Sequence, residues 1–248
     1  MPLLVYGSYG YTGSLIAREA IDRGLSVTLA GRNRARLQEQ SNDLDRPFEA
    51  VSLDDTDRLE RVVSDHDTVL HCAGPFAETA DAMVKACLAG GTDYLDITGE
   101  YTVLEAIADR GAAAEEAGVS LLPAVGFDVV PTDCLAAHLA DRLPSADHLA
   151  LGIAVKGGPS PGTAKTAVEH LDVGGVVRRD GEIVTVPLGW RTRPIDFGEG
   201  VGTKSAVTIP WGDVATAYHS TGIPNVEVYA AASGRSIRVL RAMRYLEP

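Results

Sequence analysis

The stretch Leu3-Leu4-Val5-Tyr6-Gly7-Ser8-Tyr9-Gly10-Tyr11-Thr12-Gly13 decides the fold. Its first four residues form a short apolar run of strand character, and the glycines that follow turn the chain. Beyond Gly13, Leu15, Ile16, Ala20 and Ile21 fall on one side of a helix, with Arg18, Glu19 and Asp22 on the other. Gly24 stands where such a helix is capped, and residues 26–30 (Ser-Val-Thr-Leu-Ala) are again strand-like. Strand, Gly-rich turn, helix and strand within about 30 residues predict a parallel pair joined by a right-handed crossover.

Working outward, the alternation continues. Strands are expected at 48–53, 68–73, 94–97 and 119–125, and helices at 80–89 and 103–117. Six strands with intervening helices predict an α/β fold, a Rossmann-like doubly wound parallel sheet. From about Leu149 the texture changes. Strand-like runs at 149–155, 183–186, 205–209 and 226–231 are divided by Gly and Pro, and helical patterns occupy 163–171, 213–220 and 235–246. This half reads as a smaller α+β lobe on a mixed or antiparallel sheet. The boundary is expected at Leu143-Pro144-Ser145, giving lobes 1–143 and 144–248, which the length of 248 residues accommodates.

Composition narrows the function classes. With 34 acidic and 22 basic side chains the net charge is −12, which argues against nucleic acid as a partner, since phosphate binding needs clustered cations. No run approaches the length of a transmembrane helix. Four Lys against 18 Arg suits either a salt-rich cytoplasm with a carboxylate-rich surface or a high-GC coding sequence, and both readings stay open. Cys72, Cys87 and Cys134 lie on apolar stretches without CxxC spacing, so they read as buried thiols of a reducing, cytoplasmic compartment and not as disulfides or a metal site. The N-terminus shows no basic flank or cleavage pattern, so no signal peptide is expected.

The chemistry centres on the glycines. A dinucleotide pyrophosphate needs backbone N–H groups at close range and the positive end of a helix dipole. Gly7, Gly10 and Gly13 have GxxGxxG spacing between a strand and an amphipathic helix, and Ser8, Tyr9, Tyr11 and Thr12 share the turn. At the end of strand two, where an NAD site carries an acid, the chain reads Ala30-Gly31-Arg32-Asn33-Arg34. No acid is present, the glycine leaves space, and Arg32 can fork onto a 2′-phosphate, which predicts NADP in preference to NAD. Asp54 is placed to meet the adenine amino group, or else to cap the next helix. Cys72-Ala73-Gly74-Pro75-Phe76 opens at the edge where the nicotinamide side of the cofactor is expected.

A catalytic acid is less legible. None of the eight Tyr has a Lys four residues on, and HExxH, GxSxG and Walker patterns are missing. His71, Asp96, Thr98, Glu100, Asp128 and Asp133 fall at the C-terminal ends of expected strands. Glu100 and Asp128 are candidates to orient a substrate amine or a water, with helix capping or a second-lobe contact the competing reading for each. His71 reads equally as a core histidine. Arg191 and Arg193 are candidates to bind a carboxylate substrate, although exposed Arg is commonplace.

Together GSYGYTG (7–13), AGR (30–32), CAGPF (72–76), YLDITGE (94–100), GFDVVPTD (126–133) and PWGDVATAYHSTGIPNVEVY (210–229) resemble the saccharopine dehydrogenase-like oxidoreductases, which include trans-acting enoyl reductases. The resemblance implies a Rossmann NADP-binding domain, an α/β lobe for substrate and dimer contacts, and site-lining places for Glu100 and Asp128. It implies hydride transfer to a C=N, C=O or C=C bond of a small acid or acyl substrate by a homodimer. Members are commonly longer than this chain, so the expectation includes a short or truncated member whose substrate pocket is in question. The alternative is an NADP-binding sensor or partner-binding protein without turnover, a reading motivated by the missing proton donor.

Overall fold

In the computed structural model, residues 2–154 and 174–243 are described; the helix expected at 163–171 lies outside them. The chain divides into two units, residues 1–127 and 128–248. The expected boundary at 143 falls instead after a helix that belongs with the second unit.

The first unit is a six-stranded parallel sheet in the order β3-β2-β1-β4-β5-β6. Its strands are β1 (Pro2–Tyr6), β2 (Ser26–Gly31), β3 (Phe48–Ala50), β4 (Thr68–His71), β5 (Asp93–Asp96) and β6 (Leu121–Leu122). Alternate residues of β1 feed opposite cores, as the two-residue period requires. Leu3 and Val5 pack with Ala17 and Ala20 of α1 (Tyr11–Asp22) and Leu37 of α2 (Arg34–Leu44). Leu4 and Tyr6 pack with Leu59 and Val63 of α3 (Thr56–Ser64) and Met83 and Val84 of α4 (Phe76–Gly90). Strand order reverses between β1 and β4, and the carboxyl edge at such a switch point is where open α/β sheets take their ligands.

Several elements end earlier than the sequence suggests, for visible reasons. β3 stops at Ala50 because its partner β2 ends at Gly31. β6 is cut to two residues because Pro123 has no N–H and Ala124 turns to φ 59°. The helix expected over 103–117 divides into α5 (Tyr101–Ala108) and α6 (Gly111–Ala117); Arg110, at the break, pairs with Asp81 of α4. Among the thiols only Cys87 is buried. Cys72 is half-buried and Cys134 exposed, which corrects the expectation of three buried cysteines.

In the second unit, α7 (Val130–Arg142) precedes a mixed sheet of order β10-β11-β12-β8-β9, with β7 parallel to β12. The strands are β7 (His148–Ile153), β8 (Gly175–Arg179), β9 (Glu182–Val186), β10 (Thr192–Asp196), β11 (Thr203–Thr208) and β12 (Asn225–Ala231), and the helices α8 (Asp213–Thr221) and α9 (Gly234–Met243). β8 and β10 are additions to the expected strands. α7 packs on α8, where the Ser220 hydroxyl donates to Asp133 (2.9 Å), which is why it belongs to this unit.

Candidate functional site

The glycine turn is built to exclude side chains. Gly7 sits at φ +83°, and a Cβ there would come within 2.9 Å of the Ala73 nitrogen, so it brings the β1 and β4 loops together. A Cβ on Gly13 would strike the Gly7 carbonyl oxygen, so only glycine lets α1 start this close to the turn. The Gly7 N–H donates to Ala30 (2.8 Å) and the Gly10 N–H to Gly7 (2.9 Å), which locks the loop. Gly10 is the N-cap of α1 and supplies no side-chain cap. The N–H groups of Tyr11, Thr12 and Gly13 therefore open at a helix N-terminus with no protein acceptor four residues back. Uncapped helix start and glycine cradle together fit a pyrophosphate.

Other residues of the turn face inward. Ser8 is buried, its hydroxyl donating to Gln40 Oε1 (2.7 Å) while Gln40 Nε2 returns a bond to the Ser8 carbonyl (2.8 Å). With its N–H donating to the Ala30 carbonyl (3.3 Å), Ser8 is engaged within the protein at hydroxyl, carbonyl and amide, and shapes the turn from behind. Gln40 lies on α2, too far along the sequence for local spacing to reveal it. The space beside Gly31 is not left open, a correction to the expectation: the Tyr9 ring fills it, and a Cβ on Gly31 would lie 2.7 Å from Tyr9 Cε1. The Tyr9 hydroxyl accepts from the Asn33 N–H (3.2 Å). Arg36 lies over the Tyr9 ring at 4.8 Å and donates to the Tyr9 carbonyl (3.1 Å). Arg32 is exposed at the same strand end. Arg36 therefore joins Arg32 as a second cation here; a sign of it was Asn33, the N-cap that accepts from the Arg36 N–H and starts α2. Asp54 is not a helix cap, since Asp55 caps α3; it accepts from Ser52 Oγ (3.1 Å) and is exposed.

The β4 loop is anchored from β5. The Cys72 N–H donates to Tyr6 (2.8 Å), and after Ala73 the chain passes through a cis Gly74–Pro75 peptide into α4. Pro75 cannot cap α4 with a side-chain acceptor. Glu100 does so from across the sheet edge: Oε1 accepts from the Phe76 N–H (3.0 Å) and Oε2 from the Ala77 N–H (2.9 Å). Both oxygens of the candidate base Glu100 are thus engaged at a helix N-terminus, where negative charge is favoured. Behind it, Thr98 Oγ1 accepts from the Glu100 N–H (3.1 Å). Asp96 Oδ1 accepts from the Thr98 (2.9 Å) and Ala124 (2.8 Å) N–H groups, and Oδ2 from the Tyr94 hydroxyl (2.7 Å). Burial raises the Asp96 carboxyl despite these bonds and also raises Tyr94. Asp96, Thr98 and Glu100 form one chain of support under the 72–76 loop.

His71 is buried among the rings of Tyr6, Phe76 and Tyr94. Its Nε2 lies 3.0 Å from Thr79 Oγ1, whose own proton goes to the Ala73 carbonyl (2.7 Å). Nε2 therefore carries the hydrogen, and Nδ1 is left without a partner. Burial drives the imidazole down to about 3, so it stays neutral at physiological pH and is no general acid there. Burial, with the Asp96 charge, pushes the Cys72 thiol up to about 12, which keeps it from acting as a thiolate.

Asp128 and Asp133 belong to the second unit. The Asp128 carbonyl accepts from Trp211 Nε1 (2.7 Å), and burial raises its carboxyl. Near them is a group the sequence did not single out: Asp213, fully buried at the start of α8 with both oxygens unpaired. The Thr132 hydroxyl donates to Val129 (2.9 Å) instead. Burial pushes Asp213 up to about 7. Arg191 pairs with Glu227 (2.7 Å), and Arg193 lies over the Tyr229 ring at 5.7 Å.

Comparison with known proteins finds relatives of the first unit and of the fold. Residues 3–122 match the family described as the saccharopine dehydrogenase NADP-binding domain. A "probable mitochondrial saccharopine dehydrogenase-like oxidoreductase" of Arabidopsis thaliana is 34% identical over 148 residues, covering 53% of this chain and 33% of its own. A trans-acting enoyl reductase of Mycobacterium ulcerans is 29% identical over 148 residues, covering 56% and 35%. The matched region thus spans about a third of these relatives' own length. The apo saccharopine dehydrogenase (L-Glu forming) of Saccharomyces cerevisiae superposes with a TM-score of 0.66 at 17% identity, over 98% of this chain and 57% of its own, a likeness of fold. Among the described residues no helix is long and apolar enough to cross a membrane.

Proposed function

We propose, from the match of residues 3–122 to the saccharopine dehydrogenase NADP-binding domain family, that the chain serves an NADP-dependent oxidoreductase that passes a hydride to a C=N, C=O or C=C bond of a small acid or acyl substrate. The observation that carries this reading is the turn at 7–13. It has no room for side chains at Gly7 or Gly13 and ends on a helix start without a side-chain cap. In this reading the turn over Gly7, Ser8, Tyr9, Gly10, Tyr11, Thr12 and Gly13 wraps the pyrophosphate, the N–H groups of Tyr11, Thr12 and Gly13 being its donors because those of Gly7, Ser8 and Gly10 are bonded within the protein, and Arg32 and Arg36 meet the 2′-phosphate. Asp54 faces the adenine, and Cys72, Ala73, Gly74, Pro75 and Phe76 border the nicotinamide. NADPH supplies the hydride, and the chain's task is to place it.

Glu100 is a positioning residue in this scheme: by capping α4 it sets the 72–76 loop. Asp128 remains a candidate to orient a substrate amine or a water, and burial raises its carboxyl. Assembly as a homodimer in the cytoplasm is part of the same proposal. Side-by-side fluorescence titrations with NADPH and NADH test the cofactor reading. NADPH should bind at least about tenfold tighter, since a 2′-phosphate forked by Arg adds a charge-assisted contact; tighter NADH would overturn it. Cofactor oxidation across imine, ketone and enoyl panels then tests turnover. NADPH binding without oxidation in any panel favours the sensor.

A further inference from the structure

We propose that the second unit carries an oxyanion-binding site built from Arg179, Trp190, Arg191 and Arg193, which takes the carboxylate or phosphate group of an anionic ligand. Only the further step of calling that ligand the substrate rests on the oxidoreductase reading.

The chain as a whole is strongly acidic, yet Arg179 and Arg191 share the Trp190 ring, and Arg193 lies over Tyr229, which Glu227 links to Arg191. Arg179, at the end of β8, lies 4.3 Å from the centroid of the Trp190 ring, and Arg191 lies 4.1 Å from the same centroid. One indole thus gathers two cations that would otherwise repel, and its π-system offsets part of that repulsion. Arg193, two residues beyond Arg191 and so on the same strand face, stands over the Tyr229 ring. The backbone under Arg191 is fixed on both sides: its N–H donates to Thr208 Oγ1 (3.1 Å) and its carbonyl accepts from the Thr208 N–H (3.0 Å).

Charge compensation is incomplete. Among the described residues one carboxylate, Glu227, pairs within this cluster, and it is shared between Arg191 and the Tyr229 hydroxyl. Among the described residues neither Arg179 nor Arg193 has a carboxylate oxygen within ion-pair distance, although Glu182 stands opposite Arg179 in the β8–β9 register. A guanidinium stacked on an aromatic ring keeps its N–H donors free at its edge, and two or three such edges match the oxygens of a carboxylate or phosphate. Stacking also removes much of the side-chain disorder that binding would otherwise have to overcome.

The test uses the full chain saturated with NADP+, so that anion binding at the glycine turn is blocked. Calorimetric titrations with inorganic pyrophosphate and with glutarate at low salt separate the two chemical sources. Saturable binding of either at one site per chain is expected, with the tighter probe naming the phosphate or the dicarboxylate class. Arg179→Gln and Arg193→Gln should each weaken it about tenfold. Trp190→Leu, which changes no charge, should weaken it comparably, whereas Arg235→Gln on exposed α9 should leave it unchanged. NADP+ affinity, measured first, should be the same in all variants, so loss of the cofactor reading and loss of this site are separate results. No saturable binding of either probe, or equal weakening by Arg235→Gln, would overturn the proposal.

Discussion

Among the described residues, each unit buries an ionisable side chain with polar atoms left unpaired, and the two respond to pH in opposite directions. In the first unit it is His71, a base held neutral with Nδ1 unpaired. In the second it is Asp213, an acid with both oxygens unpaired. Burial disfavours the charged form of each, so it lowers the base and raises the acid. For His71, about 3 when folded against 6.5 ordinarily, the unfolded chain binds the extra proton between those values, and native stability falls as pH drops through that window. For Asp213, about 7 against 3.8, the folded chain binds the extra proton, and stability falls as pH rises from 4 to 7. Both units pay for buried polarity, but acid is the hazard for one and base for the other.

The larger effect is expected at His71, since its shift is the larger and its surroundings are aromatic. Its share of the acid loss should be about 4 kcal/mol between pH 6.5 and 3. His71→Phe keeps a ring in the aromatic nest and removes the titration. Hydrogen exchange at Val69 and Leu70 of β4, corrected for intrinsic rates, should then lose this part of its acid sensitivity. Unchanged acid sensitivity in the variant would break the contrast on this side.

Asp213 should show a smaller effect, about 3 kcal/mol, because its place in the first turn of α8 lets the helix dipole offset part of the burial penalty. Asp213→Asn should stabilise the second unit above pH 7 and flatten its pH dependence between 4 and 7. Both tryptophans, Trp190 and Trp211, lie in that unit, so denaturant unfolding followed by their fluorescence reports on it directly. A variant no more stable than the parent at pH 8 would show that Asp213 is already ionised at little cost.

The difference between the units also explains what the sequence could and could not reveal. The parallel sheet was legible because apolar runs of β1, β2 and β4 are buried on both faces and alternate with amphipathic helices. The glycine turn was legible because steric exclusion at Gly7 and Gly13 leaves a spacing. β8 escaped notice because its Arg178 and Arg179 look like surface residues. Arg178 is in fact buried, donating to the Val214 carbonyl (2.8 Å) and lying over Tyr218. β10 contains Pro194, which a strand tolerates at the sheet edge it occupies. For Glu100 the sequence left helix capping open but not which helix it caps, and the roles of Gln40 and Asp213 were invisible, because each depends on groups brought together by the tertiary fold or on a burial that no local pattern encodes.

Glu100 gives the smallest expected effect and the sharpest contrast with Asp213. Both are buried carboxylates at helix N-termini, but Glu100 has an N–H group for each oxygen. Glu100→Gln keeps one acceptor and sets an amide N–H₂ against a backbone donor, which should cost about 1 to 2 kcal/mol in thermal or denaturant unfolding. Because α4 and the 72–76 loop move with that cap, NADPH affinity should fall a few-fold as well. Asp213→Asn, by contrast, removes charge from a carboxylate with no bonds to lose, so the same chemical change should stabilise the second unit and leave NADPH affinity alone. If Glu100→Gln were neutral in both measurements, the cap would be incidental and the support under the 72–76 loop would rest on Asp96, whose three bonds remain.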